Sequence, residues 1–171
     1  MSAQGSGAGS GELDGELRKQ IVAVLAGGQA HATFEQAVEG FPPELRGVVV
    51  AGVPYSAWQI LEHMRITQRD ILDFSAPPTG GYHGLEWPAQ YWPKELAPEP
   101  DAAWDRSVAA VKGDRETFKK LILRPEADLG KAFRWGEGQN LLREALLIAD
   151  HMAYHVGEMV LLRRVLGCWG G

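Results

Sequence analysis

The sequence has little of several residues that mark particular classes of protein. Its 171 residues include one cysteine, Cys168, which excludes an internal disulfide and a four-thiolate metal site. Lys and Arg (17) are fewer than Asp and Glu (22), and no basic block offsets this balance, so no nucleic-acid partner is expected. No uninterrupted apolar stretch approaches the ~20 residues of a membrane helix, so no membrane span is expected either.

The common motifs of hydrolases and nucleotide-binding proteins are also missing: there is no GxSxG and no GxxxxGK. Residues 1–11 are rich in Gly, Ser and Ala, without the basic start and apolar segment of a signal peptide. We therefore expect a disordered tail over 1–11 and a single domain over 12–168. A lone thiol suits a reducing compartment, so we expect a cytoplasmic protein.

Apolar side chains recur at helical spacing in four long segments. The first is predicted to run from Glu12 to about Ala26, where two glycines follow. The second begins after Ser56, which can form a capping box with Gln59, and ends at the prolines 77–78.

The other two long segments lie in the C-terminal half. The third helix is expected to begin after Asp101, a good N-cap residue, and to end at Pro125. The fourth covers 139–166, and its wide apolar band is typical of a helix that is covered on more than one side. A short helix is predicted from a capping box at Thr33 as far as Glu39.

A long connection separates the second and third long helices. Residues 76–100 hold six of the ten prolines and three neighbouring aromatic residues, too many for a solvated linker, so we expect this segment to pack along the helices. The one weak alternation of two-residue period, at 48–53, is followed by Pro54 and makes no convincing strand. The predicted fold class is all-α: a helical bundle with a long crossover.

Histidines supply the sharpest chemical signal. His151 and His155 differ by about 40 degrees in direction on a helix, so both rings can share one ion. His63, beside the apolar stripe of the second long helix, can face that pair across a bundle. Three imidazoles leave positions on a metal for water or substrate, whereas Met152 replaces the glutamate of a metalloprotease motif. Histidines with ordinary hydrogen bonds are the alternative.

Two charged residues are further candidates. Glu158 follows His155 by three residues and can accept a hydrogen bond from a ligating imidazole or supply a fourth ligand; the alternative is an ion pair with another helix, for example with Arg65. Arg115 interrupts the apolar stripe of the third long helix. It is a candidate for binding an anionic substrate, or its stem packs while its charge reaches water.

The remaining candidates would line a pocket. His31 follows the first helix and can either reach the site or cap that helix. The aromatic residues of the connection can form the apolar wall of a pocket, or simply attach the connection to the bundle. These residues are Trp87, Tyr91 and Trp92.

Three segments together resemble the DinB (DinB/YfiT-like) superfamily. They are WQILEHMR at 58–65, EWPAQYWP at 86–93 and ADHMAYHVGE at 149–158, and the resemblance spans roughly residues 12–168. The usual pattern of that family is one histidine on the second helix and an HxxxH pair on the last. It maps here onto His63, His151 and His155.

The resemblance implies a four-helix bundle with a crossover at 75–100 and a divalent metal on the three histidines. The expected metal is zinc or nickel, with iron or manganese as alternatives. Characterised relatives include transferases and isomerases that use low-molecular-weight thiols such as bacillithiol or mycothiol, and many members look like homodimers. We therefore expect a dimeric metal-dependent transferase or hydrolase in which a metal-bound water or thiol reacts with a small-molecule substrate. A non-catalytic metal or small-ligand binding protein and a structural or interaction protein are the alternatives.

Overall fold

The computed structural model describes residues 6–170, and over that range the chain is all-helical. Its five α-helices are α1 (Ser6–Ala26), α2 (Phe34–Val38), α3 (Ala57–Ser75), α4 (Ala102–Ile122) and α5 (Leu141–Val165). A short 3-10 helix covers Pro43–Leu45. The all-α fold class is confirmed.

Residues 48–53 form no strand. Gly52 has a φ of 83° and turns the chain where a strand would have to continue. Val50 and Val53 instead pack singly against the helical core. The one β feature of the described residues is an isolated bridge between Ala132 and Asn140.

The helix ends follow local sequence signals closely in two places. Thr33 and Ser56 each accept a hydrogen bond from the backbone N–H three residues later, and the side chains of Gln36 and Gln59 accept in return from the cap residues. Both predicted capping boxes are confirmed. They fix the directions in which α2 and α3 leave their loops.

One predicted cap and one predicted helix start differ from the structure. Asp101 precedes α4, but its side chain makes no capping bond, because its own backbone is already helical (φ −46°, ψ −37°). Helix α1 begins at Ser6, ahead of the predicted Glu12. Residues 6–11, predicted as part of a disordered tail, form the start of α1, and residues 1–5 of that predicted tail lie outside the described residues.

The core lies between α3 and its neighbours. Helix α3 packs against α4 and α5, α1 packs against the same two helices, and α2 packs against α5. By length and mean hydropathy (1.2), α5 could span a membrane, a test that the core helix of a soluble protein also passes. Its contacts with three other helices account for part of its wide apolar band, whereas Leu146, Leu161 and Val165 are more than half exposed.

The segment between α3 and α4 contains no helix and lies along α3. Ser56 Oγ donates to the carbonyl of Leu96 (2.6 Å), and Gln59 Nε2 donates to the carbonyl of Pro93 (3.1 Å). Farther along α3, Asp70 accepts hydrogen bonds from two tyrosine hydroxyls of the segment. These bonds hold residues 82–96 along α3, beside His63.

Candidate metal centre

The structure brings His63 of α3 against His151 and His155 of α5. One ring nitrogen of each histidine lies within 4.8 Å of the other two, and the Nε2 atoms of His63 and His151 are 3.0 Å apart. The predicted convergence of the three rings is confirmed. The three nitrogens are close enough together to hold a divalent metal ion.

The hydrogen bonds behind two of the rings assign their tautomers. His63 Nδ1 lies 2.9 Å from the carbonyl oxygen of Tyr91, and His155 Nδ1 lies 2.7 Å from Oε2 of Glu158. A carbonyl and a carboxylate only accept, so each Nδ1 carries the hydrogen and each Nε2 keeps a lone pair. Metal-ligating histidines are oriented by this same kind of bond.

The short distance between the Nε2 atoms of His63 and His151 is compatible with a hydrogen bond and also with a cation bound by both rings. Nε2 of His63 is an acceptor, so His151 must donate from its own Nε2 when nothing lies between them. A divalent ion would accept a lone pair from each ring and needs no proton there. The donor set is therefore chemically suited to a metal.

Burial lowers the pKa of all three imidazoles. The pKa of His151 falls from 6.5 to about 3, through burial and then through the nearby imidazoles of His155 and His63. Burial and His63 lower the pKa of His155 to about 4, and burial lowers that of His63. All three rings are neutral at pH 7, which is the form that binds metals.

Trp92 fixes the ring of His63 from outside. The two rings stack at 3.9 Å with an interplanar angle of 5°, and Tyr55 stacks on the other face of Trp92 at 3.8 Å. His63 is thus held by a stack of rings on one side and by the Tyr91 carbonyl at Nδ1. Tyr55 carried no sequence signal, because it lies outside the helical patterns.

The other aromatic residues of the segment take different positions. Trp87 is 68% exposed and lies at the rim, with its ring 6.4 Å from that of His63. The Tyr91 hydroxyl donates to Asp70 (2.6 Å) and attaches the segment to α3. Burial and then this bond raise the pKa of Tyr91, so its hydroxyl keeps the proton it donates. Asp70 lies two helical turns after His63, a spacing that could have suggested it from the sequence.

Of the remaining predicted residues, Glu158 contacts the histidine cluster, whereas His31 and Arg115 line a separate cavity. Glu158 bonds His155, whereas Arg65 pairs with Glu62. His31 is exposed and is not part of the histidine cluster; it lines a separate cavity between α1 and α5. The predicted exposure of the Arg115 charge is wrong, because its guanidinium is ion-paired with Glu35 and its side chain is 12% exposed.

No family model matches the chain, and neither does any curated protein or solved structure. The fold and the site therefore carry the functional information. Together these define an all-helical protein whose three-histidine cluster could hold a divalent metal ion.

Proposed function

We propose that this chain is a metal-dependent enzyme of the DinB-like type that binds one divalent ion through His63, His151 and His155. The observation that carries the metal proposal is the convergence of three neutral imidazoles, two of them oriented at Nδ1 by acceptors. Without an ion, the Nε2 atoms of His63 and His151 have each other as partners, and no hydrogen bond is found for Nε2 of His155 within residues 6–170. With an ion, each lone pair has a partner.

We also propose that the four long helices form a four-helix bundle and that residues 76–101 are its crossover. This arrangement is supported by the contacts of α3 and α1, each with both α4 and α5. The length and position of the crossover match the arrangement that the family resemblance implies. The short helix α2 would then lie outside the bundle, against α5.

The proposed metal is zinc or nickel. Three imidazoles suit zinc, nickel, copper and iron, whereas manganese prefers oxygen ligands. Glu158 is engaged with His155 Nδ1, so a carboxylate ligand would have to give up that bond. This favours the metals that accept an all-nitrogen set.

The proposed reaction class is the transfer of a low-molecular-weight thiol to an electrophilic small molecule. A divalent ion at such a site supplies a Lewis acid that makes a thiol more acidic at neutral pH. The chain's own contribution is rigid placement: Trp92 and the Tyr91 carbonyl hold His63, and Glu158 holds His155. The exposed indole of Trp87 at the rim offers an apolar surface for the electrophile.

Metal content tests the metal proposal. The untagged protein, purified without a nickel column, should contain about one equivalent of a divalent metal by mass spectrometry. A variant with His63→Ala, His151→Ala and His155→Ala should contain none. The single variants His31→Ala and His83→Ala are matched controls, because both histidines are exposed and outside the cluster, and they should retain the metal. Equal metal content in the triple variant and the wild type would refute the proposal.

Turnover tests the enzymatic part separately. The metal-loaded protein is incubated with bacillithiol, mycothiol or glutathione and a panel of electrophiles, and loss of free thiol is followed. Thiol consumption above that caused by the free metal ion, abolished in the triple variant, supports the enzyme. Metal binding without turnover across the panel would leave a metal-binding protein and refute the transferase.

A further inference from the structure

A second site lies on another side of α5, away from the histidine cluster. It is a cavity of about 240 Å³ between the C-terminal end of α1, the loop 27–33, α4 and α5. The walls are mainly aliphatic and aromatic, and they include Leu25, Phe34, Ile148 and Met152. None of the three clustered histidines lines it.

The loop that covers this cavity is shaped by two glycines. Gly27 and Gly28 have φ values of 78° and 75°, which other residues rarely adopt, and these turn the chain from α1 back over α5. A Cβ on Gly28 would lie 3.1 Å from Thr33 Cγ2. The roof is therefore a defined structure and not a loose end of α1.

One cation enters this apolar lining. Within the described part of the chain, Arg115 is the one Lys or Arg residue that lines the cavity, and no Asp or Glu does so. Its guanidinium pairs with Glu35 through one nitrogen, but its Nε is buried and has no hydrogen-bond partner among the described residues. A buried N–H left without an acceptor is costly, and a bound oxygen atom would supply one.

Two polar groups near the rim are already engaged in other hydrogen bonds. Thr33 Oγ1 caps α2, and His31 Nδ1 is bonded to the carbonyl of Ala32. Glu35 shares a neighbouring cleft with Lys112, so this carboxylate faces two cations, Lys112 and Arg115. Arg115 therefore shares its one carboxylate partner with a second cation, and its unpartnered Nε–H can take an anionic acceptor.

We infer that this cavity binds a small monocyclic carboxylate, with its ring among the aliphatic side chains and its carboxylate on Arg115. The volume suits one ring, because an apolar cavity of about 150 Å³ holds benzene. A carboxylate accepts from guanidinium N–H groups in a charge-assisted hydrogen bond. The inference does not depend on the proposed metal or on turnover.

Benzoate binding tests the inference. Titration calorimetry and thermal shift on the full chain should show saturable binding of benzoate with a Kd in the millimolar range or below. Benzyl alcohol keeps the ring without the charge, and acetate keeps the charge without the ring, so both should bind at least about tenfold more weakly. Benzoate binding should be unchanged in the triple histidine variant, which separates this site from the metal proposal.

Two variants locate the ligand. Arg115→Gln should weaken benzoate binding about tenfold or more, whereas Arg124→Gln, an exposed arginine outside the cavity, should not. Ala153→Leu fills the cavity from α5 and should abolish binding while Arg115 stays in place. If circular dichroism shows that Arg115→Gln does not fold, Ala153→Leu still tests the inference.

Three results would overturn the inference. One is the absence of benzoate binding up to about 10 mM. Another is equal affinity in the wild type and in a folded Arg115→Gln variant. The third is undiminished binding in Ala153→Leu, because benzoate would then bind outside the cavity.

Discussion

The acceptors behind His63 and His155 differ in charge. Tyr91 presents a neutral backbone carbonyl, whereas Glu158 presents a carboxylate. Both orient a ring, but only the carboxylate also carries a negative charge that compensates the charge of a cation. The backbone acceptor cannot be removed by substitution, so Glu158 is the group through which orientation can be tested.

Replacing Glu158 should weaken metal binding without removing a ligand. We expect Glu158→Ala to lower zinc affinity about 10- to 100-fold, because His155 loses the acceptor that fixes its tautomer. Glu158→Gln retains an acceptor oxygen, so its zinc affinity should lie between those of the wild type and of Glu158→Ala. Competition with a chromophoric chelator measures the affinities, with Glu126→Ala as an exposed control. An unchanged affinity in Glu158→Ala would show that the bond orients nothing.

The lowered pKa values of the histidines predict an acid-sensitive metal-stripped protein. The unfolded chain takes up these protons near pH 6.5, whereas the folded chain resists until about pH 4 for His155 and about pH 3 for His151. The unfolded state therefore binds more protons between these limits, and the free energy of unfolding should fall as the pH drops below 6.5.

Urea unfolding of the metal-stripped protein between about pH 7 and pH 5 measures this effect. The triple histidine variant should lose less stability over the same range, because its cluster has nothing to protonate. Parallel pH profiles for the two proteins would contradict the prediction.

At the scale of elements, one glycine allows the crossover to approach the chain before α3. A Cβ on Gly47 would lie 2.7 Å from Ala97 Cβ and 3.2 Å from the carbonyl oxygen of Leu96. That carbonyl accepts the hydrogen bond of Ser56 Oγ. Side-chain volume at position 47 would therefore push the crossover off the N-terminal end of α3.

Gly47→Ala should destabilise the protein by about 1–3 kcal/mol, as overpacking does in a close contact. Gly113→Ala is the matched control: it lies within α4 with nothing within 4 Å of the new Cβ. This control should stabilise the protein by up to about 1 kcal/mol through helix propensity. Urea unfolding followed by circular dichroism measures both changes. Equal changes in the free energy of unfolding for the two substitutions would mean that the crossover can move away from position 47 without cost.

At the scale of the whole molecule, α5 leaves part of its apolar surface uncovered. Leu146, Tyr154, Leu161 and Val165 are all more than half exposed, and they follow one side of the helix at helical spacing. The homodimer that the family resemblance implies would bury this stripe against its own copy. We propose that surface as the dimer contact.

Sedimentation velocity should therefore find a dimer, and Leu161→Glu should shift it towards monomer by placing a charge in the contact. Leu123→Glu is the control, because Leu123 is as exposed as Leu161 (54%) but lies at the end of α4. A wild type that stays monomeric at micromolar concentration, or the same shift in both variants, would remove this surface as the contact.

Local features of the structure could be predicted because the sequence encodes them within a few residues. The capping boxes at Thr33 and Ser56 are bonds across three residues. The common direction of His151 and His155 follows from helix geometry alone. Asp101 shows the limit of such reasoning, since a favourable residue type caps only if its own backbone leaves the helix.

The sequence by itself determined the helices, their apolar sides and the pairing of two histidines on α5, because these depend on neighbours three or four residues away. Only the tertiary structure decided that the Tyr91 carbonyl and Trp92 hold His63, and that Arg115 is buried against Glu35 beside a cavity. Every residue has the same backbone carbonyl, so the sequence does not indicate which carbonyl accepts a hydrogen bond from a histidine. Contacts between residues far apart in the chain depend on how whole helices pack, which no local pattern records.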